Sequence, residues 1–352
     1  MTAALGTEEA TAKEDIVDFL VIGAPKAGTT SLFEYLRHHP EISLPPDKEA
    51  PYFNDDRVYG AVPWEEYVRN AFPGPERRRL RATITPHYMF PVTHTAESGE
   101  RDEYTVPRRI HQRLPGVRLI AILRDPVERA YSHHHQEARR GHDDRGFAEA
   151  VDELLRPTEL ERWRGRFDTA NCYVTTGEYG RILGAYYETF PAEQILVLFT
   201  EELARDPEGT MRRIYDFVGV EPPPRPPRNL GKRYNVSAAE QRFDKVTPAT
   251  FVKVASGNRF ARRIWHSLSE EGRKRVLARY RQLDFRFHAW NRRGEAPAEE
   301  EISAADRAAL ERLRAHYAPD GEKLEALLER RPPWLPTLPR EGSPQSSSAP
   351  NP

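Results

Sequence analysis

"FLVIGAPKAGTTSLFEYL", residues 19–36, decides the fold. With Asp18 before it, the run to Gly23 is short, apolar and β-branched, the pattern of a strand buried on both faces. From Thr30 to His38 the apolar residues Leu32, Phe33 and Leu36 recur at helical spacing. Between strand and helix, Gly23 and Gly28 keep the glycine spacing of the triphosphate loop G-x-x-x-x-G-K-[ST]. The lysine stands inside the loop instead, at Lys26. A strand, a glycine turn and a helix start gather backbone N–H groups and the positive helix end around an anion. Gly28 allows close approach of the backbone. Thr29 and Thr30 add hydroxyls, one of them able to cap the helix, and Lys26 can reach a bridging or leaving oxygen. A plain strand-to-helix turn with a surface lysine is the competing reading.

The same alternation continues outward. Arg81–Thr85, Val117–Leu123 and Ile195–Phe199 read as further strands. Helices are expected from Pro126, over Tyr179–Thr189 and over Pro207–Phe217, the last with Asp206 as N-cap. Ser303–Arg330 reads as a closing helical pair broken at "APDG". Apolar strands separated by helices predict an α/β fold: a parallel sheet flanked by helices, with ligands at the carboxyl ends of the strands. Residues 1–15 read as a disordered leader, 16–331 as one domain with a basic helical insertion at 241–298, and 332–352 as a Pro/Ser-rich disordered tail.

Composition narrows the function. The 352 residues carry a net charge of −1, which points to neither nucleic acid nor membrane. One cysteine, Cys172, excludes an intrachain disulfide. The N-terminus lacks a signal-peptide pattern, and no apolar run approaches the ~20 residues of a membrane helix, so a cytoplasmic protein is expected. Of 53 basic residues only 8 are lysines. A lysine inside a motif is therefore unlike the filler charge elsewhere, which is arginine.

The second informative stretch is "LIAILRDPVERAYSHHHQ", residues 119–136. Arg124 ends a strand, Asp125 can cap the next helix, and Glu128 falls where a capping box would place it. Ser132 lies on the helix face of Asp125 and Arg129. Arginine and serine at one strand–helix junction can grip a phosphate; local pairing of Arg124 with Asp125 or Glu128 is the competing reading. A magnesium-dependent kinase would want an acidic metal ligand at such a strand end, where this chain has Arg124. His133-His134-His135 lacks the i, i+4 spacing of a helical zinc pair, and no metal is expected; these histidines read as solvent-facing or cleft-lining. His38 and His39 read as structural.

Together the two loops resemble the sulfotransferases that use 3′-phosphoadenosine 5′-phosphosulfate, particularly the branch containing the heparan sulfate enzymes. The resemblance implies a P-loop-like sulfotransferase fold with that nucleotide as co-substrate and no metal. It places the 5′-phosphosulfate on Lys26, Ala27, Gly28, Thr29, Thr30 and Ser31, and the 3′-phosphate on Arg124 and Ser132. Lys232 and Arg233, in "LGKRYN", match a basic loop that the family sets over the 3′-phosphate; a plain surface loop is the alternative. "KEAPYF", residues 48–53, is similar to the stretch that carries the proposed catalytic base, here Glu49, with Lys48 beside it. A carboxylate can take the acceptor's proton, and lysines can stabilise the transferring group and leaving oxygen. His87, in "TITPHY", is the rival base. Heparan sulfate enzymes often carry a charged pair before this stretch, where this chain has Thr83 and Ile84.

The expected reaction is sulfonate transfer to a hydroxyl, with an amine as the lesser alternative. The acceptor would be a saccharide, glycolipid or secondary metabolite. A P-loop nucleotide kinase and a non-catalytic nucleotide-binding protein are the competing classes. Residues 241–293 fit the family least, with 14 Lys and Arg against 4 Asp and Glu. They read first as a helical insertion with a solvated basic face. The sharper reading is a contact for an anionic acceptor or membrane surface, which would make acceptor affinity salt-dependent.

Overall fold

In the computed structural model, β1 (Phe19–Gly23) lies between β3 (Leu80–Ile84) and β4 (Arg118–Leu123) in a five-stranded parallel sheet. The short β2 (Ile42–Ser43) and β5 (Ile195–Phe199) form the edges, giving the order β2-β3-β1-β4-β5. The structure describes residues 17–73, 80–93, 102–232, 234 and 302–336. Every residue of β1 is buried, as a strand covered by helices on both faces must be. The β1–β4 register shifts between Val21 and Gly23, so two residues of β1 oppose one of β4 and the strand bends into its loop.

Among the described residues the α-helices are α1 (Thr29–Leu36), α2 (Trp64–Ala71), α3 (Thr105–Arg113), α4 (Pro126–Arg140), α5 (Phe147–Leu154), α6 (Pro157–Gly165), α7 (Tyr179–Thr189), α8 (Thr200–Arg205), α9 (Pro207–Val218) and α10 (Ala304–Leu328). The expected strands at 18–23, 81–85, 117–123 and 195–199 and the expected helices at 30–38, from 126, at 179–189 and at 207–217 are present with shifts of one or two residues. Asp206 caps α9 as its sequence implied, accepting from Gly209 N–H at 2.8 Å. Asp125 likewise caps α4, accepting from Val127 and Glu128 N–H groups. Glu128 does not complete a capping box, because its carboxylate turns to Arg124. Neither Thr29 nor Thr30 caps α1; Gly28 occupies the cap position.

The expected break at "APDG" is absent. Residues 304–328 form one helix with Pro319 inside it. The reason is a tertiary contact: the Asp320 carboxylate accepts from the Gly180 and Arg181 N–H groups, at 2.8 and 2.9 Å, and so caps the start of α7. Gly180 permits this approach, since a Cβ there would lie 2.4 Å from the Asp320 carbonyl oxygen. Tyr317 adds a hydrogen bond from its hydroxyl to the Val174 carbonyl at 2.8 Å. Part of the expected tail also belongs to the fold: Trp334 packs its ring against Phe199 and Tyr179.

The chain divides into two units, one comprising residues 1–232 with 304–352 and the other 233–303. The basic segment 241–293 and Arg233 lie outside the described residues, as do residues 1–15. Among the described residues, no helix is long and apolar enough to cross a membrane.

Glu178 joins α6, α7 and α10. Its buried carboxylate meets Arg164 at 2.8 Å, Arg181 at 2.7 Å and His316 at 3.1 Å. Burial alone would raise its pKa, but these three partners hold it down to about 2. An ordinary glutamate titrates near 4.5, so this group stabilises the fold fully above that pH. Its contribution is lost as pH falls from 4.5 toward 2. Glu178→Gln should therefore destabilise the protein by about 3 kcal/mol at pH 7 and flatten the fall in Tm below pH 4.5. A variant whose acid unfolding matches that of the wild type would contradict this assignment.

Candidate active site

The first turn adopts the conformation its glycine implies. Gly28 has φ +101° and Lys26 φ +68°, both in the left-handed region that glycine tolerates best. The turn is anchored by Ala24 N–H to the Ile122 carbonyl at 2.7 Å. Thr200, at the start of α8, adds a second anchor: its hydroxyl lies 2.7 Å from the Ala27 carbonyl and 3.0 Å from that of Leu123. A helix start with no side-chain cap presents its N–H groups to an anion. The residues around the turn, Ala27, Gly28, Thr29, Thr30 and Ser31, form that start.

"KEAPYF" and "TITPHY" converge beside this turn. Thr85 N–H donates to the Val21 carbonyl at 3.0 Å, continuing the β1–β3 pairing into a 3-10 turn over Pro86–Met89. The Tyr88 hydroxyl sits 3.3 Å from Tyr52 N, and the Tyr67 hydroxyl donates to the Ala50 carbonyl at 2.7 Å. These contacts fix the backbone on both sides of Glu49. Its carboxylate meets Lys48 Nζ at 3.1 Å and His87 Nδ1 at 3.6 Å. Lys48 and Glu49 of the one stretch and His87 of the other thus form one cluster. His87 stacks on Phe90, which also contacts Phe167, and these rings wall one side of it.

Lys26 reaches α4, where its Nζ donates to Gln136 Oε1 at 2.5 Å. Gln136 was missed in the sequence, although it lies one turn beyond Ser132 on the face shared by Asp125, Arg129 and Ser132. His133 and His134 are buried, contrary to the expectation that the histidine run meets solvent or lines a cleft throughout. His134 Nε2 pairs with the Arg145 carbonyl, and His135 packs on Tyr131. His133 Nδ1 lies 3.4 Å from the fully buried Arg129, whose guanidinium also donates to the Tyr173 carbonyl. Burial holds the His133 pKa well below its ordinary value, with Arg129 and Lys26 adding to the effect. His39 is structural, pairing with the Glu221 carbonyl.

Arg124 takes its local option, pairing with Glu128 at 2.9 Å. Its carbonyl accepts from the Tyr179 hydroxyl at 3.0 Å. It still directly follows the end of β4, with Ser132 further along α4. Lys232 sits on the α1 side, where its carbonyl accepts from the Tyr35 hydroxyl at 2.7 Å and its side chain is exposed. Cys172 is buried with its thiol pushed up to about 12, which makes it a poor nucleophile.

His87 reports the cluster's electrostatics. Burial lowers its pKa below 6.5, Glu49 raises it in part, and Lys48 lowers it further. An NMR titration should place the imidazole below 6.5 in the wild type, lower still in Glu49→Gln and higher in Lys48→Met. Opposite movement in either variant would contradict the observed contacts.

Residues 17–274 match the sulfotransferase domain family. Heparan sulfate glucosamine 3-O-sulfotransferase 3B1 of Mus musculus is 31% identical over 201 residues, 57% of this chain and 45% of that protein. The bifunctional heparan sulfate N-deacetylase/N-sulfotransferase of Drosophila melanogaster is 26% identical over 219 residues, 59% of this chain and 20% of that protein. The chain therefore spans less than half the length of these two relatives. The crystal structure of a sulfotransferase from Alicyclobacillus acidocaldarius has a TM-score of 0.56 at 22% identity, covering 90% of this chain and 97% of that one, a likeness of fold. With most of the described core inside the matched residues, this chain belongs to the sulfotransferase domain family.

Proposed function

We propose that the chain transfers a sulfonate group from 3′-phosphoadenosine 5′-phosphosulfate to an acceptor hydroxyl, directly and in line, with Glu49 as base. The observation that carries this reading is the Glu49 carboxylate between Lys48 and His87, on a backbone pinned beside the turn that holds Lys26. The chain's residues suit such a donor. The uncapped start of α1 and Lys26 would receive the phosphosulfate, and Arg124 and Ser132 the 3′-phosphate.

Glu49 would take the acceptor's proton as the acceptor oxygen bonds to sulfur. The bond from sulfur to the donor's phosphate oxygen breaks in the same step. Lys26 would donate to that leaving oxygen, and Lys48 would face the charge on the transferring sulfonyl oxygens. A kinase reading is weaker, because Arg124 follows the end of β4 where a magnesium-binding carboxylate is wanted. A saccharide fits the names of the curated relatives. Thr83 and Ile84, both fully buried, supply no charge toward a polyanion, so a glycolipid or secondary metabolite fits as well.

A second reading makes His87 the base, with Glu49 orienting it. The 3.6 Å contact and the lowered histidine pKa favour it, since a neutral imidazole can accept a proton at pH 7.

Turnover of labelled donor across a panel of hydroxyl acceptors tests the reaction. Glu49→Gln should then lower kcat by about 100-fold or more, while binding of adenosine 3′,5′-bisphosphate stays unchanged. Full activity in Glu49→Gln, together with its loss in His87→Asn, would move the base to His87.

A further inference from the structure

We infer that Gln136 is a positioning residue for Lys26, holding the loop ammonium in place through a neutral acceptor. The inference rests on the reading above, in which Lys26 meets the leaving oxygen.

A lysine ammonium is a point charge on a flexible four-carbon stem. Ordering such a side chain costs rotamer entropy, and a small misplacement at a reacting centre can cost about 100-fold in rate. Lys26 emerges from a backbone with φ +68° and must be steadied by something opposite the loop. Gln136 Oε1 stands there at 2.5 Å, from a different element 110 residues away.

The orientation of the Gln136 amide is set from its other side. Its Nε2 donates to Glu137 Oε1 at 3.1 Å. A carboxylate only accepts and an ammonium only donates. The NH2 group must therefore face Glu137 and the oxygen must face Lys26; a flipped amide would lose both bonds. Glu137 is itself buried, and Arg140 at 3.1 Å and His142 at 2.7 Å hold it. The chain of contacts thus runs from the surface through Glu137 and Gln136 to the loop lysine.

The neutrality of the amide matters. A carboxylate at position 136 would hold Lys26 equally well but cancel its charge by pairing. An amide oxygen offers a hydrogen bond and brings no counter-charge of its own. Gln136 also sits on α4, the helix that begins beside Arg124 and carries Ser132. The two phosphate-facing motifs of the sequence are thereby joined through one side chain.

Two measurements on the full chain test this, one of them independent of turnover. In ligand-free protein, reductive methylation followed by peptide mass spectrometry should modify Lys26 about threefold faster or more in Gln136→Ala, with Lys323 unchanged as the internal control. An unchanged Lys26 rate would overturn the positioning role whatever the reaction is. In the second measurement, Gln136→Ala should lower kcat by about 10- to 100-fold, with the Kd for adenosine 3′,5′-bisphosphate within about threefold. The double variant Lys26→Ala/Gln136→Ala should be no slower than Lys26→Ala alone, since both act through one group. Multiplying effects would show that Gln136 acts structurally and overturn the inference. If wild-type protein shows no transfer from the phosphosulfate donor while the methylation difference is present, the functional reading fails and the transfer role of Gln136 fails with it; the Lys26–Gln136 contact alone would stand.

Discussion

The parallel pairing of β1 with β4 is the constraint on which the site depends. Leu20 lies opposite Leu119 and Val21 opposite Ile120, and the pairing continues past the strand through Ala24 N–H to Ile122. Strands running the same way place their carboxyl ends side by side, with the turns that follow. One turn delivers Lys26 and the start of α1, the other Arg124 and α4. Thr200 then ties the Ala27 carbonyl to the end of β4 through a single shared proton. Because both faces of β1 are buried, its register is carried by these backbone pairings rather than by an inside–outside pattern.

Around that frame the charges fall into two groups with different duties. Glu178, Arg164, Arg181 and His316 neutralise one another inside the fold and hold α6, α7 and α10 together. Near the turn the cations are held in both ways: Lys48 and Arg124 pair with carboxylates, whereas Lys26 and Arg129 have neutral hydrogen-bond partners. Lys26 rests on a neutral amide, and buried Arg129 donates to a carbonyl and lies against a histidine that its own charge helps keep neutral. Lys48 shares Glu49 with His87.

Much of this was legible in the chain. The strands were visible because both-face burial demands unbroken apolar runs, and α4 and α9 because Asp and Pro mark their starts. Other elements left no such trace. Every residue of α6 keeps some exposure, so the helix needs no apolar stripe, and β2 has only two residues. Pro319 and Gly321 suggested a helix break that the Asp320 contact with α7 overrides. At the site, residue types and order pointed to Lys26, Glu49 and His87, but the Glu49–His87 contact joins residues 38 positions apart and depends on the fold. Gln136 was accessible in principle by extending the face of Ser132 one turn. The i, i+4 pairing of Arg124 with Glu128 was foreseeable as the local alternative, and it is the one adopted.

The central claim is that the turn around Lys26 holds one phosphosulfate rather than a magnesium triphosphate. Calorimetric titration of the wild-type protein with adenosine 3′,5′-bisphosphate and, separately, with ATP plus magnesium tests it most directly. The account predicts saturable binding of the bisphosphate without metal, at least about tenfold tighter than ATP with magnesium, a difference of about 1.4 kcal/mol. Tight magnesium-dependent ATP binding with no heat from the bisphosphate would contradict it.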